Sequence, residues 1–212
     1  AATQQGQIKR FERKELSPWR TYRSKSTKYA KLKDQDDRIV AVAPVVLEDI
    51  MIITKNGYGL RFNIEEVPVV GAKAAGVKAI NLKDGDQVAA AFKSTTPSMY
   101  ILTQRGSLKR MLQDDIPVTS RAKRGLQVLR ELKNKPHRVF KAGPVFTDQG
   151  DFDLFTSQEE VAEQDQILQI TSTTGQVTEV DLTQLSISER TSNGSFVNDT
   201  ISDQEVFSAT IK

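Results

Sequence analysis

The chain has 212 residues, no cysteine and a net charge of +3, with 38% hydrophobic and 27% charged residues. This composition is typical of a globular protein and excludes a disulfide framework and a thiolate metal site. The longest apolar run, residues 39–47, is far shorter than the roughly 20 residues of a membrane helix. The first residues lack the charged-then-apolar order of a secretory signal, so we expect a cytoplasmic protein without a membrane partner.

Charge is strongly segregated along the chain. Residues 1–33 carry +8, residues 34–142 carry +6, and residues 143–212 carry −11. This polarity favours a polyanion as the partner of the first two-thirds of the chain. Solvated faces with an acidic tail region are the alternative explanation of the same pattern.

One sequence phrase occurs four times. The copies are TQQGQIKRF at 3–11, TKNGYGLRF at 54–62, TQRGSLKRM at 103–111 and STTGQVTEV at 172–180. Their glycines are Gly6, Gly57, Gly106 and Gly175, and a second glycine follows nineteen residues later in three copies, at Gly76, Gly125 and Gly194. A repeat of about fifty residues indicates a solenoid, propeller or array.

Each copy predicts an apolar strand, a turn closed by glycine and a second strand. Asn56-Gly57 is a strong hairpin signal, because both residues can adopt positive φ. Residues 77–92 fit two further strands around a turn at Asp84-Gly85-Asp86, which makes four strands per repeat, as in propeller blades. A helix over 126–135 is the rival interpretation, since its leucines have helical spacing, but the aligned part of the second copy favours a strand.

The repeats, together with RTYRSKSTKYAKLKD at 20–34, GLRFNIEEVPVVGAKAAGVKAINLKDGD at 59–86 and SRAKRGLQVLRELKNKPHRVF at 120–140, carry a resemblance. They resemble the C-terminal domain of the A subunit of bacterial topoisomerase IV, of the Gram-positive type, and the related domain of the gyrase A subunit. The resemblance implies an all-β fold, the β-pinwheel, in which propeller-like blades exchange strands and double-stranded DNA binds a basic outer edge.

On this resemblance, residues 1–212 form a single β-pinwheel domain with repeats of about 1–48, 49–97, 98–142 and 143–212. The first copy lacks the apolar strand that precedes the phrase in the others, so we expect the first blade to be truncated and further blades to lie upstream. About twenty extra residues, 143–162, precede the fourth copy as an insertion or irregular connection that is acidic overall and rich in glycine and aspartate.

Gyrase A subunits carry a glycine-rich basic box that wraps DNA. In this sequence the corresponding stretch, RTYRSKST, keeps the charges of Arg20, Arg23 and Lys25 but has no glycine. The sequence is therefore more similar to topoisomerase IV, and we expect DNA bending rather than full wrapping.

The candidate DNA contacts are cations in one class of loop, which repetition should place along one rim as an arc. Aromatic residues are interleaved with the first cluster, and they pack more often than they stack on bases. The alternative for each loop is a merely solvated basic surface. The candidates are Arg20, Arg23, Lys25, Lys28, Lys31, Lys33, Lys73, Lys78, Arg121, Lys123 and Arg124.

An arginine four residues after the first glycine, at Arg10, Arg61 and Arg110, suits a contact between blades as well as a phosphate, and we favour the structural role. The fourth copy has Glu179 there, which is consistent with a blade that does not hold DNA. Contacts to phosphates and to DNA shape, rather than to base edges, are expected to dominate.

The sequence predicts no catalytic site of its own. The one histidine, His137, has a turn-like context, and Asp84-Gly85-Asp86 is a turn more often than a metal loop. The resemblance implies that strand cleavage, and the use of ATP and Mg²⁺, belong to other parts of a holoenzyme, whose cleavage core and ATPase B subunit would be partners. No cofactor is expected in this domain, and the cellular location would be the bacterial cytoplasm at the nucleoid.

A propeller that binds an acidic protein is the competing function. The acidic stretch from Gly143 onward could limit how far DNA travels around the rim, or could dock on the rest of the enzyme.

Overall fold

The structure, a computed structural model, describes residues 1–16, 30–32, 34–45, 47–71, 73–146, 166–197 and 205–212. These residues form β-strands and four 3-10 helices of three or four residues. The strands are β1 (Ala2–Thr3), β2 (Gln7–Ile8), β3 (Ile39–Ala41), β4 (Asp49–Thr54), β5 (Tyr58–Asn63), β6 (Val77–Lys78), β7 (Val88–Lys93), β8 (Ser98–Thr103), β9 (Ser107–Leu112), β10 (Leu126–Gln127), β11 (Val139–Val145), β12 (Ile167–Ser172), β13 (Val177–Asp181), β14 (Ser195–Phe196) and β15 (Val206–Ile211). The 3-10 helices are Arg13–Leu16, Ile64–Glu66, Gln113–Asp115 and Leu182–Gln184.

The strands form four antiparallel blades. Their orders are β3-β1-β2-β6 in blade 1, β7-β4-β5-β10 in blade 2, β11-β8-β9-β14 in blade 3 and β15-β12-β13 in blade 4. Each of the first three blades takes three strands from one repeat and its fourth, short strand from the following repeat. The predicted all-β architecture of four-stranded repeats and the implied strand exchange are therefore confirmed. The repeat borders given above, and the single domain over 1–212, stay predictions.

The turn of each repeated phrase is held by a hydroxyl group. Gly57 has a φ of +80°, and its N–H donates to the Thr54 carbonyl at 3.0 Å, while the Thr54 hydroxyl accepts from the Tyr58 N–H at 3.1 Å. Asn56 does not adopt positive φ, so the expected turn with two such residues is wrong. A single left-handed glycine after a tight turn closes this hairpin. The same hydroxyl bond is made by Thr3, Thr103 and Ser172.

The second glycine of a repeat marks the crossing into the preceding blade. Gly76 has a φ of +89°, and a Cβ atom at this position would lie 2.5 Å from the carbonyl oxygen of Ile8 in β2. Gly125 and Gly194 have the same left-handed backbone and the same crowding, against the carbonyl oxygens of Gly59 and Leu108. Glycine therefore lets each chain segment approach the neighbouring backbone closely enough to add a strand to it.

Residues 126–135 contain a strand and no helix. β10 covers Leu126–Gln127, and Leu129 lies in the core with 2% of its surface exposed. The preference for a strand over a helix is therefore confirmed. The turn predicted at Asp84-Gly85-Asp86 is also present, with Gly85 at a φ of +76° and the Asp86 N–H donating to the Lys83 carbonyl at 3.0 Å.

The hydrophobic core is divided into three layers between successive blades. In β4, Ile50 and Ile52 pack toward blade 1, whereas Met51 packs toward blade 3. In β8, Ile101 faces the layer shared with blade 2, and Leu102 faces the layer shared with blade 4. Central strands that are buried on both faces read as continuous apolar runs, which explains why these strands alternate poorly.

The arginine four residues after the first glycine joins neighbouring blades. The side chain of Arg61 pairs with Asp49 of its own blade at 3.2 Å and with Asp114 of the next repeat at 2.7 Å. Arg10 donates to the Val67 carbonyl at 2.6 Å, and Arg110 donates to the Thr183 carbonyl at 2.6 Å. The structural interpretation of these arginines is confirmed.

Lys109, in β9 of blade 3, has a buried side-chain nitrogen that meets segments of the third and fourth repeats. Only 2% of its surface is exposed, and its Nζ donates to the carbonyl oxygens of Val128 and Arg190, both at 2.6 Å. Burial, together with the nearby Arg190 guanidinium, lowers the pKa of Lys109 to about 7. Val128 directly follows β10, the exchanged strand of blade 2, and Arg190 lies in the loop that enters β14.

Replacing Gly76 with alanine should destabilise the fold more than replacing Gly85. Both glycines have positive φ, but a Cβ at Gly85 meets no atom within 4 Å. The Gly85→Ala variant therefore measures the cost of backbone strain alone. We expect Gly85→Ala to cost about 1–2 kcal/mol and Gly76→Ala to cost a further ~1–3 kcal/mol from crowding. Urea unfolding of both variants measures the difference, and equal losses would show that the crossing tolerates a side chain.

Lys109→Met should lower stability and remove a pH dependence. In the folded protein this pKa, about 7, lies below its ordinary value of 10.5. The unfolded chain therefore binds more protons between these two values, and the contribution of Lys109 makes the free energy of unfolding rise with pH through that window. The variant also leaves backbone carbonyls without a donor.

Urea unfolding at several pH values between about 7 and 10 measures this dependence. The wild-type protein should gain stability relative to the variant as pH rises. Lys212→Met, which removes an exposed lysine from the end of the last strand, is the control. Parallel stability curves for the wild type and Lys109→Met would contradict the prediction.

Candidate nucleic-acid interface

The blades have an inner and an outer edge. β7 contacts both β3 and β11, and the side chain of Lys141 in β11 donates to the Ala209 carbonyl of β15 at 2.7 Å, so these strands form the inner edge. The exchanged strands β6, β10 and β14 lie at the opposite side of each sheet. We call these three strands, with residues 73–76, 119–125 and 188–194 that lead into them, the outer edge.

Successive parts of the outer edge contact one another. The loop 119–125 lies along the segment that follows β6, because the Ala122 N–H donates to the Ala79 carbonyl at 2.6 Å and the Asn81 N–H donates to the Lys123 carbonyl at 2.8 Å. Ala122 has a φ of +62°, a rare left-handed conformation for alanine, which marks how tightly this loop is shaped. The loops of neighbouring repeats therefore form one continuous surface.

Three of the predicted DNA contacts meet on this surface. All three side chains are exposed: Lys78 lies in β6, and Lys123 and Arg124 lie in the loop 119–125. The ammonium of Lys78 donates to Asn81 Oδ1 at 3.4 Å, and that of Lys123 donates to Thr119 Oγ1 at 2.6 Å. Among the residues that the structure describes, none of the three forms an ion pair, so their positive charges are not neutralised by a neighbouring carboxylate.

Arg121 has a mainly structural position in the same loop. Its guanidinium donates to the Glu66 carbonyl at 3.0 Å and to the Lys78 carbonyl at 2.9 Å, and its backbone N–H donates to the Glu66 carboxylate at 3.1 Å. These bonds fasten the loop of the third repeat to the second repeat. Arg121 thus positions the neighbouring cations, and its own charge remains part of the basic surface.

The remaining candidates divide between exposed positions and undescribed ones. Lys73 is exposed in the loop before β6, and Lys31 is exposed in the short described stretch 30–32. The other members of the first cluster lie outside the described residues, so their placement stays a prediction. They are Arg20, Arg23, Lys25, Lys28 and Lys33.

The structure adds one lysine that was not predicted from the sequence. Lys83 is exposed beside the loop 119–125, in the connection between β6 and the inner strand β7. A signal for it was present, because the dipeptide Leu-Lys recurs at 32–33, 82–83 and 132–133 at a constant spacing of fifty residues. Lys133, its counterpart in the third repeat, is exposed as well.

The outer edge is less positive at the fourth repeat. Its loop 188–194 contains Glu189 as well as Arg190, and the Arg190 guanidinium is used to donate to the Gln127 carbonyl. Asn193 accepts from the Arg130 N–H at 2.8 Å, which repeats the attachment seen between the second and third repeats. Glu179 pairs with Lys212 within blade 4, and this lysine lowers the pKa of the carboxylate.

The single histidine has a structural environment. His137 is 6% exposed, its Nδ1 lies 3.1 Å from the Thr103 hydroxyl and its Nε2 lies 3.2 Å from the Arg105 guanidinium. Burial and the positive charge of Arg105 lower the pKa of His137. Across the described ranges, no group of histidine, aspartate and glutamate side chains is arranged to hold a metal ion. The helices of these ranges are single turns, and none could cross a membrane.

Known proteins resemble this chain in sequence and in structure. The chain is 63% identical to the A subunit of DNA topoisomerase 4 from Streptococcus pyogenes serotype M3, over 99% of its own length and 26% of the relative. The same protein of Streptococcus pneumoniae serotype 4 is also 63% identical, over 99% of this chain and 25% of that protein. The chain therefore spans about a quarter of the length of these curated relatives.

Solved structures give the same picture. A crystal structure of the C-terminal domain of DNA topoisomerase IV matches with a TM-score of 0.81 and 32% identity, over 99% of this chain and 60% of that one. A gyrase A C-terminal domain matches with a TM-score of 0.73 at 18% identity, over 99% of this chain and 64% of that one, which supports the fold alone.

The profile of the family described as DNA gyrase C-terminal domain, beta-propeller, matches residues 1–45, 48–95 and 98–145. These three segments cover well over half of the chain and coincide with its first three repeats. The predicted resemblance to the topoisomerase IV and gyrase A-subunit domains is confirmed. The chain belongs to the DNA gyrase C-terminal domain family.

Proposed function

We propose that this chain is a DNA-binding and DNA-bending accessory domain of the A subunit of a type IIA topoisomerase. The observation that supports the proposal best is the row of cations at one structural position, the outer edge, where Lys78, Lys123 and Arg124 adjoin across two repeats and form no ion pair with any residue that the structure describes. The likeness to proteins named as the A subunit of DNA topoisomerase 4 supports the same assignment. Double-stranded DNA is the partner that such a surface fits.

The binding would be electrostatic and largely independent of sequence. Each phosphate that a lysine or arginine neutralises releases condensed counterions, and this release supplies most of the affinity. The described residues offer only short 3-10 turns, so no helix of theirs is long enough to read base edges in the major groove. The contacts would be to phosphates and to the shape of the duplex.

The arrangement of the blades favours a curved path for the DNA. Blades 1 to 3 meet at their inner strands, and repeats that stack with a fixed rotation present equivalent loops along a convex row. A duplex that contacts several loops must bend toward the protein, and the cost of bending is offset by the additional phosphate contacts. The less positive fourth repeat would mark the end of this path, and the acidic stretch beyond Gly143 would discourage DNA from travelling further.

Within a holoenzyme the domain would hold a duplex and present it to the cleavage core during decatenation and supercoil relaxation. The cleavage core, the ATPase B subunit, and the ATP and Mg²⁺ that they use would be supplied by other parts of the assembly. In this proposal the domain binds and orients the duplex, and the enzyme acts at the bacterial nucleoid.

Neutralising two outer-edge lysines should weaken DNA binding and reduce its salt dependence. For a labelled duplex, the slope of log affinity against log salt is about −0.9 for each neutralised phosphate. Lys78→Gln combined with Lys123→Gln should therefore reduce the slope by roughly 1 for each lost contact. Charge reversal at Arg20, Arg23 and Lys25 should weaken binding further.

The matched control is the double variant Lys93→Gln and Lys212→Gln. It makes the same change in charge, but Lys93 lies on the inner strand β7 and pairs with Glu48, and Lys212 pairs with Glu179. Its affinity and slope should stay close to those of the wild type. A wild-type affinity that is indifferent to salt would contradict the proposed function, and binding of an acidic protein in place of DNA would support the competing interaction module.

A further inference from the structure

Two cations from different repeats share one aromatic ring beside the outer edge. The Nζ atom of Lys83 lies 5.3 Å from the centroid of the Tyr58 ring, and the Cζ atom of Arg124 lies 5.0 Å from the same centroid. Both distances are within the range of cation–π attraction. Lys83 belongs to the second repeat and Arg124 to the third, so the ring brings together charges that are 41 positions apart in the chain.

We propose that Lys83, Arg124 and Tyr58 form a preorganised phosphate-binding subsite for duplex DNA, in which Tyr58 is the positioning residue. The inference rests on the proposed function and names one place where that function is carried out. The two cations bind phosphate, and the ring positions the charged ends of their side chains.

The charges of this subsite are available to an outside anion. Lys83 and Arg124 are exposed, and within the described parts of the chain neither forms an ion pair. The nearby carboxylate of Asp86 is already used, because its Oδ1 accepts from the N–H groups of Asn56 at 3.0 Å and Gln87 at 2.8 Å. Like charges close together repel each other, and a bound polyanion removes that repulsion.

The spacing of the two cations suits the charge density of DNA. Since both lie close to one ring centroid, they are within about 10 Å of each other. Duplex DNA carries one negative charge for about every 1.7 Å of its axis, so both cations would reach phosphates of the same short stretch of duplex. Lys78 and Lys123 extend the positive surface on the same outer edge.

The backbone of Tyr58 is anchored in the sheet. Tyr58 begins β5, where its backbone N–H donates to the Thr54 hydroxyl at 3.1 Å, and it stands opposite Gln127 of the exchanged strand β10. Long lysine and arginine side chains lose conformational freedom when they bind a ligand. A ring on this anchored backbone that already contacts two of them lowers that loss and so strengthens phosphate binding.

The next blade has a ring at the corresponding pair of residues. There Ser107 takes the place of Tyr58, and Phe196 of the exchanged strand β14 takes the place of Gln127 opposite it. The guanidinium of Arg105 lies 5.6 Å from the Phe196 ring centroid. In blade 2 the aromatic residue of this pair lies on β5, whereas in blade 3 it lies on the exchanged strand β14. In both blades an arginine lies close to the ring. A ring at this cross-strand pair thus accompanies a cation in two successive blades.

The test removes the ring without removing any charge. Binding of a labelled duplex to the full 212-residue chain is measured at several salt concentrations for the wild type, Tyr58→Ala and Tyr58→Phe. Tyr58→Ala should weaken binding roughly 3- to 10-fold through the lost ordering of two side chains, with a salt slope close to the wild-type value. Tyr58→Phe keeps the ring face and should bind like the wild type.

Two further variants separate the subsite from the fold and from general effects of ring loss. Phe207→Ala removes another exposed ring, 72% exposed on β15 of blade 4, and should leave DNA affinity unchanged. The double variant Lys83→Gln and Arg124→Gln changes only exposed side chains and should weaken binding and reduce the salt slope. It decides the question if Tyr58→Ala fails to fold, as judged by circular dichroism and urea unfolding.

The outcomes distinguish this inference from the proposed function. Wild-type affinity that does not respond to salt would overturn the proposed function as a whole. Salt-dependent binding that is unaffected in Tyr58→Ala, or in the Lys83 and Arg124 double variant, would overturn the subsite alone. Tyr58→Phe that binds as weakly as Tyr58→Ala would also overturn it, because the hydroxyl would then matter rather than the ring.

Binding of polyglutamate to the wild type and to the Lys83 and Arg124 double variant tests an acidic protein as the partner. A double variant that loses binding to polyglutamate but keeps its DNA affinity would overturn the subsite too, and would indicate an acidic protein partner.

Discussion

The close approach of one repeat's backbone to the next holds this molecule together. At Gly76, Gly125 and Gly194 the chain adopts a left-handed conformation directly against a carbonyl oxygen of the preceding blade, where a side chain would not fit. This approach lets a two-residue strand complete the neighbouring sheet. Each of the first three blades is therefore incomplete without the repeat that follows it, and the stability of a blade depends on its neighbour.

The same exchange determines where the charges lie. The loop that leads to each crossing must pass over the outer edge of the preceding blade, so its side chains are displayed there. Arg121 fastens one such loop to the carbonyls of Glu66 and Lys78, and this leaves Lys123 and Arg124 exposed beside Lys78. A structural device that joins blades thus also builds a continuous basic surface, on which the proposed DNA contact and the Tyr58 subsite both depend.

Buried polar groups reinforce the joints between blades. The Nζ of Lys109 donates to the Val128 carbonyl, beside β10 of blade 2, and to the Arg190 carbonyl in the loop that enters β14, and Arg61 bridges Asp49 and Asp114 across neighbouring repeats. A buried polar group is costly unless it is hydrogen-bonded, so the bonds of Lys109 favour one relative placement of the segments that supply its carbonyls. Blade 4 differs, because Glu179 replaces the arginine and pairs within its own sheet.

The amino-acid sequence by itself determined the period, the strand content and the class of the surface. Local chemistry explains this success: a hydroxyl and a glycine at each turn, and apolar runs long enough for strands, are visible without coordinates. The sequence also indicated that the arginines of the phrase join blades, and that cations recur in one class of loop. One local prediction was wrong, because Asn56 does not adopt positive φ. One residue was missed, because Lys83 was overlooked despite its repeated Leu-Lys signal.

Only the tertiary structure decided which repeat completes which blade and which side chains meet. Lys83, Arg124 and Tyr58 are distant in the chain, and no periodicity predicts that they share a ring, because their meeting depends on strand exchange. Likewise, nothing local distinguishes Lys109, which is buried among carbonyls, from Lys123, which is exposed on a loop. A sequence pattern reports what each segment prefers on its own, whereas burial and charge pairing depend on the segment packed against it.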